Sequence, residues 1–157
     1  MTDTPHVRAA TAEDEVELMG LCRMLWEENG ILAMDEDRVR AVLHGAFNKR
    51  GFIGVIGEPG KIEAMIFLVL SQFWYSQEWL LEELLNYCHP DYRRSGNAKH
   101  LIAYAKKCSD ELGIPLFMGI ISNDRTEQKV RLYQRQLAKP RGAFFIYGDK
   151  SPLEKVA

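Results

Sequence analysis

At 157 residues the chain is the size of one domain and long enough to bury a core of its own. Its composition, 46% hydrophobic and 27% charged, excludes a disordered or collagen-like chain. The net charge of −2 argues against a general nucleic-acid binder, yet residues 1–87 carry −8 and residues 88–157 carry +6.

His6 to Ala10 reads as a short extended start. Thr11, with Asp14 and Glu15 behind it, reads as a helix N-terminus, a hydroxyl to cap and acids to meet the dipole. Val16, Leu18, Met19, Leu21, Cys22, Leu25 and Trp26 recur at helical spacing, which predicts a helix from Ala12 to about Glu28, ended by Asn29-Gly30. Asp35 opens a second helix whose apolar stripe runs through Val39, Val42, Leu43, Ala46 and Phe47. Phe52 to Ile56 and Ile62 to Phe73 are strands, and the Glu58-Pro59-Gly60-Lys61 turn between them makes a hairpin. Trp79 to Cys88 has some helical propensity, but its flanks, Trp74-Tyr75-Ser76 and His89-Pro90, favour a third strand. A helix over Ser95 to Leu112, a strand over Leu116 to Ile121, a helix over Thr126 to Leu137 and a last strand over Ala143 to Tyr147 complete the order β-αα-βββ-α-β-α-β. No repeat or linker interrupts it, so the expectation is one mixed α/β domain over residues 1–157.

The longest apolar run, Ala64 to Leu70, falls far short of the roughly 20 residues a membrane span needs. The opening Met-Thr-Asp-Thr-Pro-His has no basic stretch leading into an apolar one, so no secretory signal is expected. Cys22, Cys88 and Cys108 are odd in number and in no ligand spacing, which favours a reducing cytoplasm. His6, His44, His89 and His100 form no ligand pattern either, and no metal is expected.

The stretch from Cys88 to Leu101 carries the chemistry. A strand ends, a loop with Arg93 and Arg94 follows, and Ser95, Gly96, Asn97, Ala98 and Lys99 open a long helix. The first turn of a helix leaves N–H groups unpaired and carries partial positive charge. Small residues there let a phosphate reach the backbone, and arginines add charge. The alternative is a basic helix end facing solvent. Neither a G-x-x-x-x-G-K-[ST] nor a G-x-G-x-x-G pattern is present.

Arg93-x-x-Gly96-x-Ala98, after a strand and His89-Pro90, resembles motif A of the GNAT acyltransferase superfamily. The opening Val7-Arg8-Ala9-Ala10-Thr11 before an acidic helix start, and the order of elements, are similar to that superfamily over the whole chain. The sequence is further similar to small members of that superfamily found in phage and prophage genomes. The resemblance implies a single mixed-sheet GNAT-like fold and acetyl-CoA, or another acyl-CoA, as donor. The N–H groups from Arg94 to Ala98 would then hold the pyrophosphate, and Asn86, Tyr87 and Cys88 would pair with the pantetheine arm like an added strand. The basic C-terminal half suits anionic CoA, and the acidic half suits an amine acceptor, whether a small molecule or a protein lysine.

Acyl transfer to an amine needs a base for the ammonium and an acid for the departing thiolate. The resemblance puts the acid at Tyr133; the alternative is a core aromatic sharing a helical face with Val130 and Leu137. It puts the base on the strand before motif A, at Glu82 or Glu83. Ungapped matching from Arg93 favours Glu82, alternation lets only one of the two face the cleft, and a bulge in the strand would change which. Glu27 and Glu28 are further candidates beside the acceptor channel. The superfamily often has an asparagine seven positions before the tyrosine, where this chain has Thr126; Asn123 comes three residues earlier and is taken as a cofactor contact. The usual Gly-Phe after the tyrosine is replaced by Lys139-Pro140-Arg141-Gly142-Ala143-Phe144. Cys88 reads as a buried strand cysteine rather than an acyl carrier, Trp74, Tyr75 and Trp79 as core or oligomer contacts rather than an acceptor pocket, and Lys106-Lys107 as a solvated face. The function implied is N-acetyl transfer in a ternary complex, by a cytoplasmic protein that forms a homodimer. The alternatives are a non-catalytic acyl-CoA-binding regulator or interaction module of the same fold, and an enzyme that uses the basic loop for a nucleotide.

Overall fold

A tight turn at Gly57–Lys61, closed by Lys61 N–H on the Glu58 carbonyl at 2.9 Å, folds the centre of the chain into the hairpin that organises everything else. This is seen in a computed structural model, which describes residues 5–149; Met1 to Thr4 of the opening segment, where no secretory signal is expected, lie outside them. Strand β2 (Gly51–Ile56) runs antiparallel to β3 (Ala64–Ser71), with Ile56 opposite Ala64. On the outer edge β1 (Val7–Ala9) pairs with β2, and on the other side β4 (Leu80–Cys88) pairs with β3, both antiparallel. The fifth strand, β5 (Leu116–Phe117), runs parallel to β4, so the sheet order is β1-β2-β3-β4-β5.

Alternation sends the residues of β2 and β3 to two cores. Ile53, Val55, Met65 and Phe67 meet helices α1 (Glu15–Asn29) and α2 (Glu36–Phe47) through Leu18, Leu21 and Leu43. Ile56, Ile66, Leu68 and Leu81 meet helix α3 (Asn97–Leu112) through Leu101, Ala105 and Cys108. Burying each leucine contributes about 1.5–3 kcal/mol. Gly54 is required on the α3 face, because a Cβ there would come within 2.7 Å of the Tyr104 ring. Helix α4 (Thr126–Gln136) lies beside α3, where Lys106 Nζ donates to the Gln136 carbonyl. Among the described residues no helix is long and apolar enough to cross a membrane.

Both helix starts carry the caps the sequence leads one to expect. Thr11 and Asp14 form a capping box, in which Asp14 reaches back to accept the Thr11 N–H at 2.8 Å while gripping Arg8 through both oxygens at 2.8 Å. One turn of 3-10 helix (Ala12–Asp14) therefore precedes α1. Asp35 caps α2 as expected, accepting from Asp37 and Arg38 N–H. The second hairpin strand begins at Ala64 rather than Ile62, because Ile62 gives its N–H to Glu17 Oε1 at 2.6 Å instead of to a neighbouring strand.

Two expectations at the C-terminal end need correction. The strand foreseen over Leu116 to Ile121 keeps ladder pairing only at Leu116 and Phe117. The last strand, foreseen over Ala143 to Tyr147, does not form. The free edge of β5 is too short to template a sixth strand, and Phe144, Phe145, Ile146 and Tyr147 are left exposed. The described elements thus run β-αα-βββ-α-β-α.

Candidate active site

β4 and β5 share only two register positions, Leu81 with Leu116 and Glu82 with Phe117, and then part. Their divergence opens a cleft of about 1430 Å³ that runs from α1 and α2 across to the N-terminus of α3 and one side of α4. At the fork β4 carries a bulge: Phe67 of β3 faces Leu85 and Leu68 faces Glu83, leaving Leu84 without a partner. The extra residue resets the alternation. Glu83, opposite Leu68, and Asn86, opposite Ile66, both point to the α3 face, although three positions apart. Glu82, opposite Val69, points with Leu85 and Tyr87 to the α1–α2 face. The two neighbouring glutamates therefore look into the cleft region from opposite sides of the sheet.

Glu83 sits at the apex of the fork. Its Oε2 accepts the Tyr133 hydroxyl of α4 at 2.6 Å, and its Oε1 accepts the Gly119 N–H, just past β5, at 3.3 Å. Burial lifts its carboxyl from the ordinary 4.5 to about 7, outweighing those two hydrogen bonds, which favour the charged form. The Tyr133 hydroxyl is pushed well above its ordinary value, first by burial and then by the adjoining carboxylate, so it stays protonated. The Glu82 side chain makes no hydrogen bond or ion pair among the described residues and lines the cleft.

The other end of the cleft is the loop between β4 and α3. His89 Nδ1 accepts the Asp91 N–H and a single 3-10 turn follows, Pro90–Tyr92. Arg94 and Gly96 then take positive φ, 68° and 83°. Gly96 is the N-cap of α3 and has no side chain to satisfy the first-turn N–H groups; a Cβ there would have nothing nearer than His100, at 3.8 Å. The first turn thus faces open space. Asn97, 2% exposed, anchors it by donating to Glu63 Oε2 at 3.2 Å, and Asn86 Nδ2 reaches the Ala98 carbonyl at 3.4 Å. The Asn86 Oδ1 is buried and finds no partner among the described residues. Arg94, Ser95 and Lys99 lie exposed along the same rim.

Arg93, expected to add charge for a phosphate, lines the cleft and is held by contacts within the protein. Its Nη2 donates to both oxygens of Glu28, at 2.7 and 2.8 Å, its Nε reaches the Cys88 carbonyl, and its guanidinium lies 5.5 Å from the centre of the Tyr87 ring. Tyr87 in turn donates its hydroxyl to Glu28 at 3.0 Å. Glu28, at the end of α1, is therefore occupied in fastening that helix to the motif loop. Glu27 is exposed and does not line the cleft. Asn123 does not line it either: its N–H goes to Asn29 Oδ1 and its amide to the Glu28 carbonyl, both on α1. Burial pushes the Cys88 thiol up to about 11, away from a nucleophilic thiolate. Trp74, Tyr75 and Trp79 are exposed outside the cleft rather than in the core.

Sequence reasoning missed two groups here. Gly119 acts through its backbone, and no local pattern announces it. Lys129 donates to Ser122 Oγ at 2.6 Å, with its ammonium made more acidic by burial; it lies one helical turn before Tyr133 and lines the same cleft, a spacing that could have found it.

No protein-family model and no curated protein sequence matches the chain. Solved structures do. One is AAC(6')-Iy with the bisubstrate analogue CoA-S-monomethyl-acetylneamine, at TM-score 0.72 and 14% identity over 92% of this chain and 97% of that one. Another is an aminoglycoside acetyltransferase from an uncultured soil metagenomic sample, in complex with trehalose, at TM-score 0.69 and 16% identity over 93% and 97%. A third is a predicted acetyltransferase from Clostridium acetobutylicum with acetyl-CoA, at 0.70 and 14% over 92% and 96%. A four-strand antiparallel run, a fifth parallel strand that parts from the fourth, and a helix opening at the mouth of the fork are thus arranged in this chain as in the GNAT acetyltransferases, whose fold it has.

Proposed function

We propose that the protein is an N-acyltransferase that moves an acetyl group from acetyl-CoA directly to an amine, with both substrates bound at once. The observation that supports this most is the cleft between β4 and β5, which has an uncapped helix N-terminus at one end and a hydrogen-bonded carboxyl–hydroxyl pair at its apex. The first turn of α3, open in front of Gly96 and flanked by Arg94 and Lys99, offers N–H groups and positive charge to the pyrophosphate of a CoA. Asn86, Tyr87 and Cys88, at the parted end of β4, offer an unpaired strand edge to the pantetheine amides, and the orphaned Asn86 Oδ1 adds an acceptor. The named neighbours with CoA-derived ligands agree with such a donor.

In this reading the acceptor arrives on the α1–α2 side, where Glu82 takes a proton from its ammonium. The free amine attacks the thioester carbonyl, the carbon–sulfur bond breaks, and the thiolate takes its proton from Tyr133. The acceptor is an amine-bearing small molecule or a protein lysine. We place the protein in a reducing cytoplasm, where Cys22, Cys88 and Cys108 are free, and as a homodimer, as the resemblance implies.

A thermal-shift titration with acetyl-CoA, CoA, ATP and NAD tests the donor. A ligand at 100 times its dissociation constant stabilises by about 2.7 kcal/mol, a shift of several degrees. Shifts with both CoA species and none with the nucleotides are expected. No shift with either CoA refutes the reading, and CoA binding without transfer to any amine replaces it with an acyl-CoA-binding regulator.

A further inference from the structure

We propose that Glu83 supplies, through Tyr133, the proton that the departing thiolate takes up, so that the two side chains act as one proton-donating pair. The proposal rests on the acetyl-transfer reading and goes beyond it. That reading needs an acid; the structure indicates what recharges the acid.

The argument starts from what faces Glu83. From α4 comes the Tyr133 hydroxyl, 2.6 Å away; from beyond β5 comes the Gly119 N–H. Leu68 of β3 lies opposite it, and the cluster behind contains Leu81 of its own strand with Leu101 and Ala105 of α3. Tyr133 has Asn86 and Cys88 of β4 as its other polar neighbours. No lysine, arginine or histidine of the described residues bears on the carboxyl. An uncompensated carboxylate in such surroundings is costly, so Glu83 holds a proton near neutral pH where an exposed glutamate would not. The bulge at Leu84 is what places it there, on the face of Tyr133 rather than with Glu82.

If Tyr133 gave its proton to the thiolate while Glu83 was ionised, a phenolate and a carboxylate would lie 2.6 Å apart in a half-buried site. With Glu83 protonated, the Tyr133 O–H bond breaks toward sulfur as the Glu83 O–H bond breaks toward the tyrosine oxygen. Coenzyme A leaves as the thiol, and the pair ends as tyrosine and carboxylate, the stable arrangement. The acceptor nitrogen loses its two protons to Glu82 and water, and Glu83 regains one from water before the next turnover. Protons balance and no further reactant is needed.

Turnover is read as thiol release with acetyl-CoA as donor and kanamycin and spermidine as probe amines, for wild type, Glu83→Gln, Tyr133→Phe and the double variant. The Glu83 carboxyl is followed in parallel by carbon-13 NMR of the ligand-free protein. In wild type, kcat is expected to fall above about pH 7. Glu83→Gln, which still accepts a hydrogen bond from Tyr133 but cannot donate a proton to it, should lower kcat roughly 10- to 100-fold and erase that limb, with KM for acetyl-CoA little changed. The double variant should be no slower than the slower single one. If Glu83→Gln keeps both the rate and the limb of wild type, Glu83 merely holds Tyr133 in place and the proposal is overturned. If acetyl-CoA neither shifts the melting temperature nor releases thiol with either amine, acetyl transfer fails and the relay with it. The NMR titration then tells which element was wrong: a Glu83 midpoint near 7 leaves the proton pair standing without its reaction, and one in the ordinary carboxylate range removes the pair too.

Discussion

Replacing Glu83 by glutamine should stabilise the fold in alkaline solution, and by an amount the structure sets. A carboxyl whose folded pKa is raised binds more protons folded than unfolded between the two values. Its favourable contribution is complete below the unfolded value and is lost as pH rises through the folded one. For Glu83 the window runs from 4.5 to about 7. At about 1.4 kcal/mol per unit the full loss is about 3 kcal/mol, and closer to about 2 because the side chain is only half-buried against an open cleft. Glutamine has nearly the same shape, keeps an oxygen for the Tyr133 hydroxyl and has no charge to desolvate. The variant should therefore match wild type near pH 5 within about 1 kcal/mol and exceed it at pH 8 by about 2–3 kcal/mol, or about 5–10 °C in melting temperature for a chain of this size. Urea denaturation of both proteins at the two pH values measures it without any substrate. A difference in stability that is the same at pH 5 and pH 8 would refute the reasoning, because it would mean that Glu83 titrates like an exposed glutamate.

Three further outcomes follow from other parts of the molecule. Gly96→Glu should remove the acetyl-CoA thermal shift while leaving the circular dichroism spectrum intact, since the site opens onto space and the positive φ costs only about 1–2 kcal/mol. Asp14→Asn leaves Arg8 without its bidentate partner and should cost about 3 kcal/mol in chemical denaturation at pH 7; because Arg8 holds the Asp14 carboxyl below its ordinary 3.8, this contribution is present above that value and lost as pH falls below it. Iodoacetamide at pH 7.5 should alkylate Cys88 far more slowly in the native protein than in urea, as burial holds that thiol near 11; equal rates would show it to be exposed.

The fold was largely legible because its signals are local. Asp35 as a cap, Pro59-Gly60 as a turn and Gly113 after α3 each specify a boundary through their own backbone chemistry, and the structure has all three boundaries close to where they were read. The misjudged segments are those whose state depends on a distant neighbour. Ala143–Tyr147 has the composition of a strand, but a strand needs an edge to pair with, and β5 offers only two residues. Arg93 has the right place in the motif loop, yet the sequence could not show that Glu28, 65 positions away, would occupy its guanidinium.

The glutamate pair shows most sharply where sequence reasoning stops. Adjacent residues on a strand must face opposite ways, so Glu82 and Glu83 were always going to divide between the two faces; pattern alone leaves open which takes which. One unpaired residue, Leu84, decides it. Counting back from Asn86 without the bulge would put Glu82 on the α3 face beside Tyr133 and Glu83 on the α1–α2 face. With it, the two exchange places. The bulge coincides with the point where β4 and β5 part, and this has a physical logic: an extra residue sharpens the local twist and bends the strand, which favours separation from a parallel neighbour. The same local distortion thus opens the cleft and gives its apex a carboxyl bonded to Tyr133 instead of one without a side-chain partner. Deleting Leu84 removes the bulge but leaves Leu85 opposite Phe67 and Glu83 opposite Leu68, so Glu83 should keep the α3 face while the fork closes and the acetyl-CoA thermal shift is lost. If the deletion variant folds and acetyl-CoA still shifts its melting temperature as in wild type, the bulge is not what holds β4 and β5 apart.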